Sequence, residues 1–241
     1  MAVPRYTLYH SRNTRSLRIL WTFEELGLKR GRDYSLRTLS FPPRAHHPDH
    51  LSRNPLGTVP WFEHREAWDS SPRAAMSESC AVPVYLAEFA RSPLALRIGD
   101  RDYGAFLNWL AHADATLTFP QSIVMRYGLF ERGRADTAAD DYGKWFVARL
   151  RLLDAALSDG RPYLVGDRFT VADVCIAYAL FNASADGLCG RGLADLGKPP
   201  LAERFKPNIA AYLARMVARP AWRSAQEEQD AAAAEVGGGG V

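Results

Sequence analysis

The spacing of apolar and polar positions changes character once along the chain, near residue 90. Before that point, short alternating stretches are interleaved with helical ones. Residues 5–10 (RYTLYH) are rich in β-formers and predict a strand. Residues 15–26 follow with Leu17, Leu20 and Trp21 on one helical face and Gly27 as the stop. Residues 34–39 (YSLRTL) alternate at period two and predict a second strand. Residues 40–52 carry three prolines and read largely as loop. Residues 60–63 and 74–76 predict two more strands, and residues 77–89 a helix that Pro83 should kink. The expected order is β-α-β, loop, β-β-α.

Past a connector at residues 92–102 nearly every segment has helical spacing. Tyr103, Phe106, Leu107 and Leu110 form one apolar stripe, and Phe146, Leu150, Leu153 and Leu157 a second. A third runs through Val171, Val174, Cys175 and Tyr178. A last helix is expected over residues 210–217, ended near Arg219-Pro220. Residues 226–241, with AAAA and GGGG runs, are expected to fray. The pattern thus predicts an α+β architecture. A mixed domain spans residues 1–91, an all-helical domain residues 101–225, and a flexible tail residues 226–241.

Composition narrows the functional classes. With 241 residues and 47% hydrophobic content the chain can bury one or two cores. A net charge of +3, without a long Lys/Arg block, argues against nucleic acid as the main partner. The longest strongly apolar run, residues 174–181, is too short for a bilayer, and the first residues lack a secretion-signal layout. Three cysteines without a CxxC suggest neither a disulfide framework nor a metal site. A cytoplasmic protein without a bound metal is expected.

Four segments carry candidate chemistry. In NPLGTVP, residues 54–60, Val59-Pro60 is either strand punctuation or a cis bond that offers the Val59 N–H and C=O to a peptide-like ligand. In the next segment Ser77 reads as an N-cap, with Glu78 and Ser79 in the first helical turn. Polar residues there can simply satisfy the helix end, or they can hold the ammonium and carboxylate of an amino acid. Cys80 reads as a small core residue. Between the first strand and helix, residues 10–16 (HSRNTRS) gather hydroxyl and amide groups. Capping accounts for at least one of them. The alternative is a site that stabilises a thiolate, through donors on Ser11, Asn13 or Thr14 and the charge of Arg12 or Arg15. Finally, Thr170-Val171-Ala172-Asp173 is a capping box that fixes a helix start.

The order and spacing of LYHSRNTRSLRILWTFEELGL, NPLGTVP, the Glu78-Ser79 pair and GDRFTVAD resemble the cytosolic glutathione transferase superfamily, most of all its bacterial members. The resemblance covers residues 5–224. It implies a thioredoxin-like domain with Pro60 cis, Val59 main chain pairing with the cysteinyl part of glutathione, and Glu78 and Ser79 holding the γ-glutamyl group. The first-turn residues match the family's thiol-activating position, and we rank Ser11 first, Asn13 second and Thr14 third. No cysteine stands in that turn, which disfavours mixed-disulfide chemistry, and Tyr9 lies within the strand. The extra length of residues 64–73 is expected to reshape the glutathione rim.

In this reading the helical domain supplies the pocket for an apolar electrophile. Trp109, His112, Arg126, Tyr127 and Phe130 are candidates, since they combine aromatics with a few polar groups. Each is also compatible with ordinary core or surface. The implied activity is glutathione transfer, as in detoxification, by a homodimer. The same thiolate would serve ether cleavage, dehalogenation or isomerisation, and the fold would also serve as a protein-binding scaffold.

Overall fold

Alternation in the first predicted strand becomes the inner strand of a four-stranded sheet. Strand β1 (Tyr6–His10) buries Tyr6, Leu8 and His10 and leaves Thr7 and Tyr9 half-buried. Its neighbours are β2 (Tyr34–Thr38), parallel to it, and β3 (Trp61–His64), antiparallel. Strand β4 (Ala74–Met76) pairs with β3, giving the order β2-β1-β3-β4. Parallel β1 and β2 require a crossover, which α1 (Leu17–Glu25) supplies. The helix stops as the sequence predicts. Gly27 adopts φ +70°, its N–H bonds Glu24 C=O, and Leu28 N–H reaches back to Phe23 C=O at 3.0 Å. The computed structural model describes residues 4–66, 68, 69 and 71–236, and Ala67 and Ser70 of the 64–73 loop lie outside it.

Two expectations in this region are corrected. Residues 40–52 contain a short α2 (Pro43–His46) and a 3₁₀ turn (Pro48–Ser52) rather than mostly loop. Each begins on a proline, whose fixed φ suits a first helical position and whose missing N–H is not needed there. Helix α3 spans Ala81–Phe89, so Ser77 is not its N-cap. The N–H groups of Ala81 and Val82 converge on the Glu78 C=O, both at 3.1 Å, so the chain winds from residue 78 onward. Pro83 is then only the third helical residue. Its missing N–H falls among those that lack helical partners anyway, which removes the reason for a mid-helix kink.

The helical region comprises α4 (Tyr103–Ala111), α5 (Thr118–Met125), α6 (Asp136–Arg149), α7 (Arg151–Ala156), α8 (Val171–Asn182), α9 (Leu188–Ala194) and α10 (Pro207–Val217). Two π-helical stretches, His112–Leu117 and Arg126–Phe130, flank α5. All twelve residues of α8 are buried, so the predicted stripe extends around the whole helix, with Asp173 and Asn182 as its polar members. The capping box exists as expected: Asp173 accepts from the Thr170 N–H at 2.9 Å, and also from the Leu164 N–H and the Tyr212 hydroxyl. In α4, Trp109 is buried where Leu107 was expected, and Leu107 lies exposed.

The largest departure is at the carboxyl end. Pro220 does not merely end a helix; it opens α11 (Pro220–Glu235) as a first-position residue. Residues 226–235, expected to fray, are helical, and residues 237–241 lie outside the described ones. The chain divides into one compact unit of residues up to 92 together with those from 219 onward, and a second of residues 93–218. Residues 219–225 therefore belong with the sheet and not with the helical unit. Trp222, Ala225, Gln229 and Ala232, spaced three, four and three apart, form the buried stripe of α11. This stripe meets α1 and β2, with Trp222 edge-on to Trp21 at 4.9 Å. Arg219 grips Glu25 through two bonds of 2.7 and 2.8 Å. Covered on both sides, α1 buries every residue from Leu17 to Phe23.

Candidate functional site

The strand register brings three of the four chemical segments to one end of the sheet. Tyr9 pairs with Trp61, so the chain leaving β1 at Ser11 runs beside Pro60 as it enters β3. Phe62 pairs with Met76, so the turn of Ser77, Glu78 and Ser79 leaves β4 at that same end. This is the carboxyl end of β1, where an open sheet commonly receives ligands.

The turn after β1 is dense with internal hydrogen bonds. Ser11 is buried, and its hydroxyl donates to Leu39 C=O at 2.7 Å. Thr14 Oγ1 donates to Ser11 C=O at 2.7 Å and lies 2.7 Å from Ser16 Oγ, which lies 2.8 Å from His10 Nδ1. Burial lowers the His10 pKa to about 4, with the Gln229 side chain working against it, so the ring is neutral at neutral pH. Asn13 is in the left-handed region at φ +57°, which asparagine tolerates better than most residues. Its N–H donates to Gln229 Oε1 at 3.1 Å, and its Oδ1 accepts from Gln229 Nε2 at 2.8 Å. Arg12 and Arg15 are exposed, and Arg12 pairs with Asp230 at 2.7 Å. Burial raises the Tyr9 pKa, the Arg53 charge working against it, so the phenol stays protonated.

The loop before β3 is held by its own amides. Asn54 Nδ2 and His50 Nε2 both lie 2.9 Å from Thr58 C=O, while Asn54 Oδ1 accepts from the Leu56 N–H. Gly57, at φ +60°, passes so near α2 that a Cβ would stand 2.9 Å from the Arg44 Cβ. Val59-Pro60 is cis, as the resemblance implies, and so is Phe41-Pro42. Both Val59 and Pro60 are buried.

At the third segment Glu78 is exposed and Ser79 buried. The Ser79 oxygen accepts from Arg18 Nη1 at 2.8 Å, and the same nitrogen lies 3.2 Å from Cys80 Sγ. Ser79 thereby keeps its own O–H as a donor. Arg18 is fully buried, so its positive charge lies beneath this turn in a medium that screens it little.

The five pocket candidates form two groups within the helical unit. Trp109 and His112 are both buried, with rings edge-on at 5.5 Å. Burial lowers the His112 pKa, helped by the Arg149 charge. Arg126 stacks over the Tyr127 ring at 5.9 Å and pairs with Glu131 at 2.7 Å; Phe130 is exposed. These three residues share the second π-helical stretch, an irregularity often found at functional positions.

Four polar residues of the site escaped sequence reasoning: His10, Arg18, His50 and Gln229. Arg18 and Gln229 look solvent-facing by type, yet each is fully buried because α11 and the sheet enclose α1. The 3-4-3 spacing around Gln229 is the signal that could have revealed it.

A βαβ-ββα sheet unit with polar turns at one sheet end, followed by an all-helical unit, defines a thioredoxin-like ligand-binding domain joined to a helical domain. Among curated proteins no sequence match is significant. The family model for the glutathione S-transferase N-terminal domain matches residues 4–88, and that for the C-terminal domain residues 144–215. The chain belongs to the glutathione S-transferase superfamily. It is similar to a glutathione transferase from Methylococcus capsulatus, at 25% identity and TM-score 0.69, over 94% of this chain and 99% of that one. A family member from Pseudomonas fluorescens with two glutathione bound aligns at 23% identity and TM-score 0.74, over 92% of each chain. A glutathione transferase from Phanerochaete chrysosporium with oxidized glutathione shows the same fold at 17% identity and TM-score 0.74, over 95% and 97%.

Proposed function

We propose that this protein binds glutathione as its thiolate and joins it to an apolar electrophile. The observation that carries the reading is the strand register, which gathers the Ser11–Ser16 turn, Val59-Pro60 and the Glu78-Ser79 turn at one sheet end. The family membership and the glutathione-bound relatives support it. Val59 main chain would pair with the cysteinyl unit. Glu78 would take the γ-glutamyl ammonium, and the Ser79 hydroxyl, backed by buried Arg18, its carboxylate. Arg15 adds positive charge near the site.

A free thiol has a pKa near 8.5, so only a few per cent is ionised at neutral pH. A donor from the first turn favours the anion. Ser11 and Thr14 each have one hydroxyl proton, committed in this structure to main-chain carbonyls. Asn13 stands beside them as a candidate donor, an amide carrying two hydrogens. The thiol proton leaves to solvent, the C–S bond forms, and in a substitution the halide or other leaving group departs with its electron pair. Trp109, His112, Arg126, Tyr127 and Phe130 are the helical residues we assign to the electrophile.

Thermal melting with added glutathione tests the reading. At a hundredfold excess over Kd, glutathione should add about 2.7 kcal/mol and raise Tm. The protein should also turn over a generic aromatic halide. A Tm that millimolar glutathione leaves unmoved refutes the proposal.

A further inference from the structure

The helical run through α6 and α7 breaks at Leu150, which closes the first helix and precedes the second. Facing this break, the chain leaves the 3₁₀ turn Leu201–Arg204 through two extended residues, Phe205 and Lys206, before Pro207 opens α10. Neither side fills the space between them. A cavity of about 200 Å³ remains, walled by Val147, Leu150, Phe205 and Ile209. It lies wholly within the helical unit, and no residue assigned above to glutathione or the electrophile lines it. An apolar cavity of roughly 150 Å³ is enough to take up benzene, so this one has room for a single aromatic ring.

The charges around the cavity are unbalanced. Asp154 is the one carboxylate in its lining and is already matched: Lys206 Nζ lies 2.8 Å from its Oδ2, and Asn208 Nδ2 3.5 Å from its Oδ1. Arg151 and Arg204 line the same cavity, and both are exposed. Arg151 donates from Nε to the Ala148 C=O at 3.0 Å, which leaves the N–H groups of its two terminal nitrogens. Among the described residues neither guanidinium has an ion-pair partner, and the Arg204 side chain has no hydrogen bond. A planar guanidinium fork matches a carboxylate, and apolar walls with a few polar groups at one edge suit a ligand of the same make-up.

We propose that this cavity is a second binding site, for a small arene that carries a carboxylate. The ring enters between Val147, Leu150, Phe205 and Ile209, and Arg151 with Arg204 holds the anionic group. The walls bind acid and neutral analogue alike, so the two arginines supply the preference for the acid. Glutathione plays no part in it.

Calorimetric titration of the full chain at neutral pH with 3-phenylpropanoate, and separately with 3-phenylpropanamide, tests the site. Saturating S-benzylglutathione is present throughout, to occupy the glutathione and electrophile positions. The acid should bind at one site, and the amide roughly tenfold more weakly. Arg151→Gln combined with Arg204→Gln should weaken the acid by a similar factor and leave the amide unchanged. Ala148→Phe, which sets a ring in the cavity lining, should remove binding of both. If Ala148→Phe does not fold, the arginine changes, at exposed positions, carry the test. Acid binding that the arginine changes leave unmoved, equal affinity for acid and amide, or no binding of millimolar acid overturns the site. None of these results bears on the glutathione melt.

Discussion

His10 shows how much of this site is decided by a single side chain's surroundings. It ends β1 with no exposed surface, its Nδ1 at 2.8 Å from Ser16 Oγ, and burial brings its pKa from 6.5 to about 4. The unfolded chain takes up a proton near pH 6.5 that the folded chain refuses until about pH 4. Stability contributed by the neutral ring is therefore whole above pH 6.5 and is lost as pH falls towards 4, about 3 kcal/mol in all. Urea unfolding should lose about 2 kcal/mol between pH 7.5 and 5, and His10→Asn should lose much less over that interval. A wild-type midpoint that stays constant there contradicts the assignment. The role of His10 was not legible in the sequence. A histidine at the end of an alternating strand gives no sign of whether the layer above it is water or another helix.

At the scale of elements, α11 is the piece whose importance the chain conceals. Its buried stripe has one large member, Trp222, set against Trp21, and is otherwise alanine and glutamine. Little hydrophobicity shows, yet small residues let two helices approach closely, and the ion pairs of Arg219 with Glu25 and Arg30 with Glu235 add to the fit. Trp222 is the large apolar side chain of that stripe. Trp222→Ala should therefore destabilise the protein by about 3–5 kcal/mol, measured by chemical denaturation. A loss below about 1 kcal/mol would mean that α11 docks by its polar contacts alone. The capping box of α8 is the contrasting case. Thr170 and Asp173 announce themselves by spacing, and the structure adds Leu164 and Tyr212, both bonded to the same carboxylate.

For the whole molecule, we propose the homodimer that the family resemblance implies, in which the first domain of one subunit meets the second of its partner. Several large apolar side chains are exposed on the single chain, among them Trp68, Phe119 and Trp145. Phe119, Tyr142 and Trp145 pack against one another on α5 and α6, with Arg149 over the Trp145 ring at 4.6 Å. Surface clusters of this kind commonly serve association. Sedimentation at micromolar concentration should give twice the mass of one chain. A single species of monomer mass contradicts the dimer.

What the sequence determined by itself is local. The four short stretches read as strands became β1 to β4, and helical spacing from residue 103 onward became the helical unit. Gly27 ended α1, and Thr170 with Asp173 started α8. In each case the decisive contacts lie within a few residues, so short-range pattern carries the information. The NPLGTVP segment was legible as a turn for the same reason, whereas Glu78 and Ser79 precede α3 instead of lying in its first turn. Tertiary structure alone decided what lies behind those turns. Arg18 is buried under Ser79, the Ser11 proton is spent on Leu39, and Gln229 locks Asn13 from 216 residues away. None of these pairings has a characteristic spacing. A buried polar group must find a partner wherever the fold brings one, and the chain order does not say where that is.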